Sequence, residues 1–142
     1  MAKALVEVVG LRPGTGFRAR DVSIYRPYRD EIPWELLSTS ADLAPTVVDD
    51  GFMRVAKYLG EVVGVYVISP QSALSYRLHT LVVAEAFRRR GVGRWLLGHA
   101  IGIAESKGGR EMTLDGLPAR GYFVAQGFEP KAGNLTLTFT PE

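Results

Sequence analysis

Residues 81–107 contain a junction that few folds can accommodate. The apolar run Leu81-Val82-Val83 leads through Arg88-Arg89-Arg90-Gly91-Val92-Gly93 into Val92, Leu96, Ala100, Ile103 and Lys107 at helical spacing. Leu97, Ile101 and Ala104 widen that stripe, and Gly108-Gly109 closes it, so the pattern predicts a helix over 91–107. The strand before it, Tyr76 to Val83, ends fully apolar, as a strand covered on both faces does. A central strand feeding a helix through a basic glycine loop calls for a layered α/β domain. Gly98 and Gly102 inside the helix each cost about 1 kcal/mol relative to Ala, and their i, i+4 spacing predicts a face that presses closely on a sheet.

The remaining elements fall in around this junction. Residues 3–9 read as a first strand, and Arg12-Pro13-Gly14-Thr15-Gly16 as the turn that ends it. Trp34-Glu35-Leu36-Leu37 and Leu43 to Val48 suggest two short helical pieces. Phe52 to Tyr58 and Val62 to Ile68 are β-rich runs split by Gly60-Glu61, a hairpin connection. After the turn Pro70-Gln71-Ser72 come the central strand, the long helix, and a strand at Glu111 to Leu114. A helix from Pro118 to Ala125 and a last strand from Leu135 to Phe139 complete the order β, short helices, ββ, β, α, β, α, β. No repeat or linker divides residues 1–142, which therefore read as one domain.

Composition narrows the chemistry. There is no cysteine, which excludes a thiol nucleophile, a zinc ribbon and an iron–sulfur centre. With His79 and His99 the only histidines, no three-histidine metal site can form, and no metal is expected. No 18-residue apolar window or signal peptide is present, so no membrane association and a cytoplasmic location are expected. The net charge is only +2, yet Arg88, Arg89, Arg90 and Arg94 fall within seven residues, while Asp30 to Met53 holds six acids and no Lys or Arg. The two local fields suit different ligands.

The basic loop is the informative one. Unpaired N–H groups at a helix N-terminus carry about half a positive charge and bind phosphate. Glycines at 91 and 93 let an anion reach the backbone, and the arginines add opposite charge, which points to an anionic, pyrophosphate-bearing ligand. The loop lacks the spacing and the Lys-Ser/Thr pair of a P-loop, and Leu96 stands where the dinucleotide fingerprint needs glycine.

Arg88-Arg89-Arg90-Gly91-Val92-Gly93 resembles the [Q/R]-x-x-G-x-[G/A] signature of the GNAT superfamily of acyl-CoA-dependent N-acyltransferases. Gly60 to Gly64 is similar to that family's second hairpin, Leu81-Val82-Val83 to the end of its fourth strand, and Ala119 to Phe128 to its A-x-x-[FY]-Y-x-x-x-G-F segment. The resemblance covers residues 50–130 and implies a central mixed, mostly antiparallel sheet flanked by helices. It implies acetyl-CoA as co-substrate, with its pyrophosphate on the backbone of Arg89, Arg90, Gly91, Val92, Gly93 and Arg94. The pantetheine arm would lie along Leu81, Val82 and Val83, with Arg88 and Arg94 as side-chain partners of the phosphates. It further implies an enzyme, an acyltransferase for groups other than aminoacyl, in which a primary amine of a small molecule or protein attacks the thioester directly. Family members are often dimers, and a homodimer is expected on that ground.

Two positions depart from the family pattern. Phe123 stands where the usual tyrosine acid belongs, with Tyr122 one residue earlier, a helical rotation of about 100°. Arg77 stands where a glutamate base is common, and His79, two residues on, shares its sheet face by the period of two. An imidazole with an ordinary pKa of about 6.5 suits a base. His79 and Tyr122 are therefore the catalytic candidates. His99 reads as a packing or surface residue, and Trp34 and Trp95 as core or edge aromatics. Asp115, beside Gly116, reads equally as a turn residue or as an acid near the reaction centre. A coenzyme-A-binding regulatory module with little catalysis is the competing reading. Nucleic-acid binding is not expected, because the net charge is small and no aromatics interleave the arginines.

Overall fold

The computed structural model describes residues 11–37, 52–114 and 120–140. The strand expected at 3–9, the helical piece at 43–48, Pro118 and Asp115 lie outside them. Among the described residues seven strands form one sheet in the order β1-β2-β3-β4-β5-β7-β6. These are β1 (Ser23–Tyr25), β2 (Met53–Tyr58), β3 (Glu61–Pro70), β4 (Ser75–Val83), β5 (Glu111–Leu114), β6 (Glu129–Lys131) and β7 (Asn134–Thr138). Among these strands β4 and β5 pair in parallel and the other pairs are antiparallel. The helices are α1 (Trp34–Leu37), α2 (Val92–Ser106) and α3 (Arg120–Ala125). The mixed, mostly antiparallel sheet with flanking helices agrees with expectation, as does the central place of β4.

The chain folds this way because β3 is apolar on both faces. Val62 through Ile68 are all buried, and α2 lies on one of those faces. Tyr66 reaches His99 of α2, and Gly64 meets Leu96. A Cβ on Gly64 would stand 2.9 Å from Leu96 Cδ1 and 3.3 Å from the Val82 carbonyl oxygen. The close approach of helix and sheet is thus made by a glycine of the strand. Gly98 and Gly102, expected to make it, face open space with no heavy atom within 4 Å of a built Cβ. They fall on the exposed side of α2, because Val92, Leu96, Leu97, Ala100 and Ala104 claim the buried side.

The β2–β3 turn is displaced by one residue from the expected Gly60-Glu61. Leu59 and Gly60 are its central pair, with φ of 51° and 83°, and Glu61 already pairs with Tyr58. Two positive φ values make a type I′ turn, whose twist matches the strands. Ala132 and Gly133 repeat the device between β6 and β7, with φ of 52° and 84°. Strands β1 and β6 have three residues each, too short for alternation to reveal them in the sequence.

Candidate active site

The site begins where two strands part. Strand β4 pairs with β5 only over Ser75–Arg77 and Glu111–Thr113. Beyond that vertex, β4 runs on to Val83 with β3 along its other edge, Leu81 opposite Tyr66, Val82 opposite Val65 and Val83 opposite Gly64. Leu81, Val82 and Val83 are half-buried. Among the described residues no strand pairs with their edge facing away from β3, a row of backbone donors and acceptors that an extended ligand could use. Strand β4 also carries a bulge. Ile68 pairs with Leu78 and Val67 with Thr80, which leaves His79 as the extra residue. Bulges re-aim side chains and gather next to active sites.

From Val83 the chain makes a 3-10 turn at Glu85–Phe87 and enters the basic loop. Phe87 is buried against Phe17 and Tyr58, which anchors the loop's entry. Arg88 turns back and its Nε donates to the Val83 carbonyl at 2.8 Å. Arg89 then adopts a left-handed φ of 61° and Gly91 one of 86°. A left-handed arginine stores roughly 1–3 kcal/mol of strain, of the kind that collects at ligand-binding turns. Alternating backbone hands aim successive N–H groups into one concavity, a nest for anions. Gly91 is the N-cap of α2, and the N–H of Trp95 is already bonded to its carbonyl. The N–H groups of Val92, Gly93 and Arg94 are therefore the first-turn amides that the helix leaves unpaired. Arg88, Arg89, Arg90 and Arg94 are all exposed around them. Ala19 closes the opposite side, 3.4 Å from where a Gly91 Cβ would sit.

Tyr122 faces this loop. Its hydroxyl lies 3.5 Å from the place of a Gly93 Cβ, and Val83 Cγ2 lies 3.7 Å from the same point. The strand end, the glycine loop and the phenol thus meet at one corner, and bulk at position 93 would fill it. Burial pushes the Tyr122 phenol up while the Arg94 guanidinium pulls it the other way, and the net shift is upward. The hydroxyl stays protonated and can donate. Phe123 is half-buried and packs instead against the buried Phe128, with ring centroids 5.5 Å apart. The one-residue offset thus places the hydroxyl at the loop and the Phe123 ring against the edge of the core.

His79 sits at the middle of β4, two residues past its last pairing with β5. Its Nε2 lies 2.6 Å from Ser69 Oγ on β3. Ser69 pairs with Arg77, Arg77 with Thr113, Thr113 with Thr136 and Thr136 with Glu129. Paired residues share a face, so a polar row crosses five strands on the side away from α2, level with the vertex. His79 joins it through Ser69, in agreement with the expectation that His79 and Arg77 share a face. Gln71 joins it too, its Oε1 accepting from the Thr113 hydroxyl at 2.9 Å. Val83 is four residues, about 13 Å of extended strand, from His79. The two catalytic candidates therefore lie apart, His79 at the mid-strand bulge and Tyr122 beside the Val83 end.

The other side chains singled out from sequence are accounted for elsewhere. His99 bonds Tyr66 through Nδ1 at 2.8 Å on the helix side of the sheet. Burial and the Arg54 cation push its imidazole down. Trp34 and Trp95 are exposed. Of the acids, Glu31 pairs with Lys57. Burial raises the Glu31 carboxyl, but hydrogen bonds from Lys57 and the Tyr28 N–H, with the Lys57 charge, lower it further. Among the described residues no cluster of His, Asp and Glu could hold a metal, and no helix is long and apolar enough to cross a membrane. Sequence reasoning missed Ser69, Ala19 and the bulge. The first two come from residues distant in the chain, and the bulge shows only in the register.

Known structures share this architecture. A GNAT family acetyltransferase from Elizabethkingia anophelis, crystallised with acetyl-CoA bound, superposes with a TM-score of 0.69 at 20% identity, over 84% of this chain and 99% of that one. Ard1 from Thermoplasma volcanium gives 0.70 at 19% identity, over 85% and 99%. N-acetylglutamate synthase from Neisseria gonorrhoeae, complexed with coenzyme A and N-acetyl-glutamate, gives 0.72 at 18%, over 78% of this chain but 29% of that longer one. At these identities the likeness is one of fold. No protein of curated function matches the sequence significantly. The family model for the acetyltransferase (GNAT) family matches residues 19–128, which include the nest, both ends of β4 and the helix bearing Tyr122, and the chain belongs to that family.

Proposed function

We propose that this protein transfers an acetyl group from acetyl-CoA to a primary amine by direct attack on the thioester. The observation that carries the reading is the nest: a left-handed Arg89 and Gly91 at the start of α2, with Arg88 pinned to the last carbonyl of β4. That arrangement suits a pyrophosphate on the amides of Arg89, Arg90, Gly91, Val92, Gly93 and Arg94. A chain leaving it would enter the cleft beside Val83, Val82 and Leu81 and bring its far end toward the vertex. The guanidiniums of Arg88 and Arg94 supply the charge opposite the phosphates.

An ammonium must lose a proton before it attacks, and a general base beside the acetyl group would take it. His79 is the group we assign to that role. Tyr122, at the loop end and protonated, is assigned to the cofactor: its hydroxyl donates to the ligand where it passes Gly93. Coenzyme A is a good leaving group, so thiolate departure makes small demands on an acid. Holding amine and thioester together then supplies most of the acceleration. The reading is tested by incubating the protein with acetyl-CoA and a panel of primary amines, following thiol release and acetylated product by mass. Release that requires both substrates is expected. Tight acetyl-CoA binding with no amine-dependent release would instead favour a regulatory coenzyme A module.

A further inference from the structure

The Ser69–His79 pair is not explained by the fold. Ser69 belongs to β3, its partner is the bulged residue of β4, and both lie half-buried at the vertex where β4 and β5 part. A hydroxyl and an imidazole nitrogen at 2.6 Å form a proton-transfer pair, within the 2.6–3.2 Å expected between a base and the group that it deprotonates. We propose that Ser69 is a proton relay for the acetyl transfer, standing between the attacking nucleophile and His79. This rests on the acetyltransferase reading above.

The nucleophile's proton passes to Ser69 Oγ as the Ser69 hydroxyl proton passes to His79 Nε2. The nitrogen lone pair so freed forms the C–N bond to the acetyl carbonyl carbon, the C–S bond breaks, and its electron pair leaves with coenzyme A as thiolate, which takes the second proton from the adduct nitrogen as the amide forms. His79 ends protonated and returns its proton to solvent. With water in place of the amine, the same steps give acetate and coenzyme A. Among the described residues, the charged groups on the elements around the pair are Arg77 on the same face, Glu61 at the far end of β3, Glu111 on β5, Arg54 and Lys57 on β2, and Glu35 on α1. Of these, Lys57 is paired with Glu31, and Arg54 lies opposite Tyr66 on the helix side of the sheet.

The test compares wild type, Ser69→Ala and Ser69→Thr. Acetyl-CoA binding is measured by calorimetry, and thiol release is measured from pH 5.5 to 9.5 with water alone and with methylamine, a probe small enough for any acceptor site. The relay predicts unchanged acetyl-CoA affinity in all three proteins. It predicts a wild-type rate that rises through the imidazole range, a loss of roughly 10²-fold in Ser69→Ala with that rise moved toward the pKa of the amine itself, and recovery in Ser69→Thr. Wild-type rate and profile in Ser69→Ala would overturn the relay, as would no release above the spontaneous rate while acetyl-CoA binds. Failure of wild type to bind acetyl-CoA would instead overturn the functional reading on which the relay stands.

Discussion

At Gly91 two independent demands fall on one residue. Its φ of 86° is a conformation that L residues rarely adopt, and a Cβ there would approach Ala19 to 3.4 Å. Gly91→Glu adds a like charge where phosphate is proposed to sit. Loss of measurable acetyl-CoA binding with the fold retained by circular dichroism is expected, and unchanged affinity would remove the nest from the site. Tyr122→Phe separates two roles. A hydroxyl that donates to the cofactor is worth about 1 kcal/mol, so its loss should raise KM for acetyl-CoA about fivefold and leave kcat near wild type. A tenfold fall in kcat at unchanged KM would make Tyr122 the acid for the leaving thiolate. At this scale the sequence was legible where chemistry is local: the arginines, the glycines and the aromatic offset all sit within short spans. Ser69 was not legible, because its meaning depends on a strand register that no residue type announces.

At the scale of elements, the four glycines around α2 divide by what surrounds them. Gly98 and Gly102 face open space, so Gly98→Ala and Gly102→Ala should each stabilise the protein by about 0.5–1 kcal/mol in chemical denaturation, from helix propensity alone. Gly64→Ala, pressed on Leu96 and the Val82 carbonyl, should destabilise by about 1–3 kcal/mol. Gly109→Ala should cost at least as much, because its Cβ would lie 2.8 Å from the Ala104 carbonyl oxygen and 2.9 Å from the Tyr76 ring. Equal effects at all four would refute this reading of how the helix docks. The hairpins, the central strand and α2 were legible because hydrophobic period and turn residues agree there. Which side of α2 carries its glycines was misjudged because spacing says that two residues share a face, not which face is covered.

For the whole molecule, the sheet divides the polar interior into two systems. On the α2 side lie Tyr66, His99 and Arg54, and on the other side the row from Ser69 to Glu129 with His79 attached. His99 has its pKa lowered by burial and by Arg54. The unfolded chain therefore binds the proton more readily, and stability is lost as pH falls below about 6.5 toward the folded value. Melting temperature should drop over that range in wild type and drop less in His99→Gln. An equal drop in both would place the acid sensitivity elsewhere. Fold class was legible from one junction, because a strand entering a helix through a basic glycine loop fixes the layers on either side of it. The short strands β1 and β6 were not, because three residues carry no period.

Everything proposed for this protein depends on the loop from Arg88 to Arg94 holding acetyl-CoA. Calorimetric titration of the wild-type protein with acetyl-CoA, and separately with coenzyme A lacking its 3′-phosphate, tests it most directly. Micromolar binding of acetyl-CoA is expected, with any weakening for the truncated ligand reporting on the surrounding arginines. No heat of binding at millimolar acetyl-CoA would contradict it.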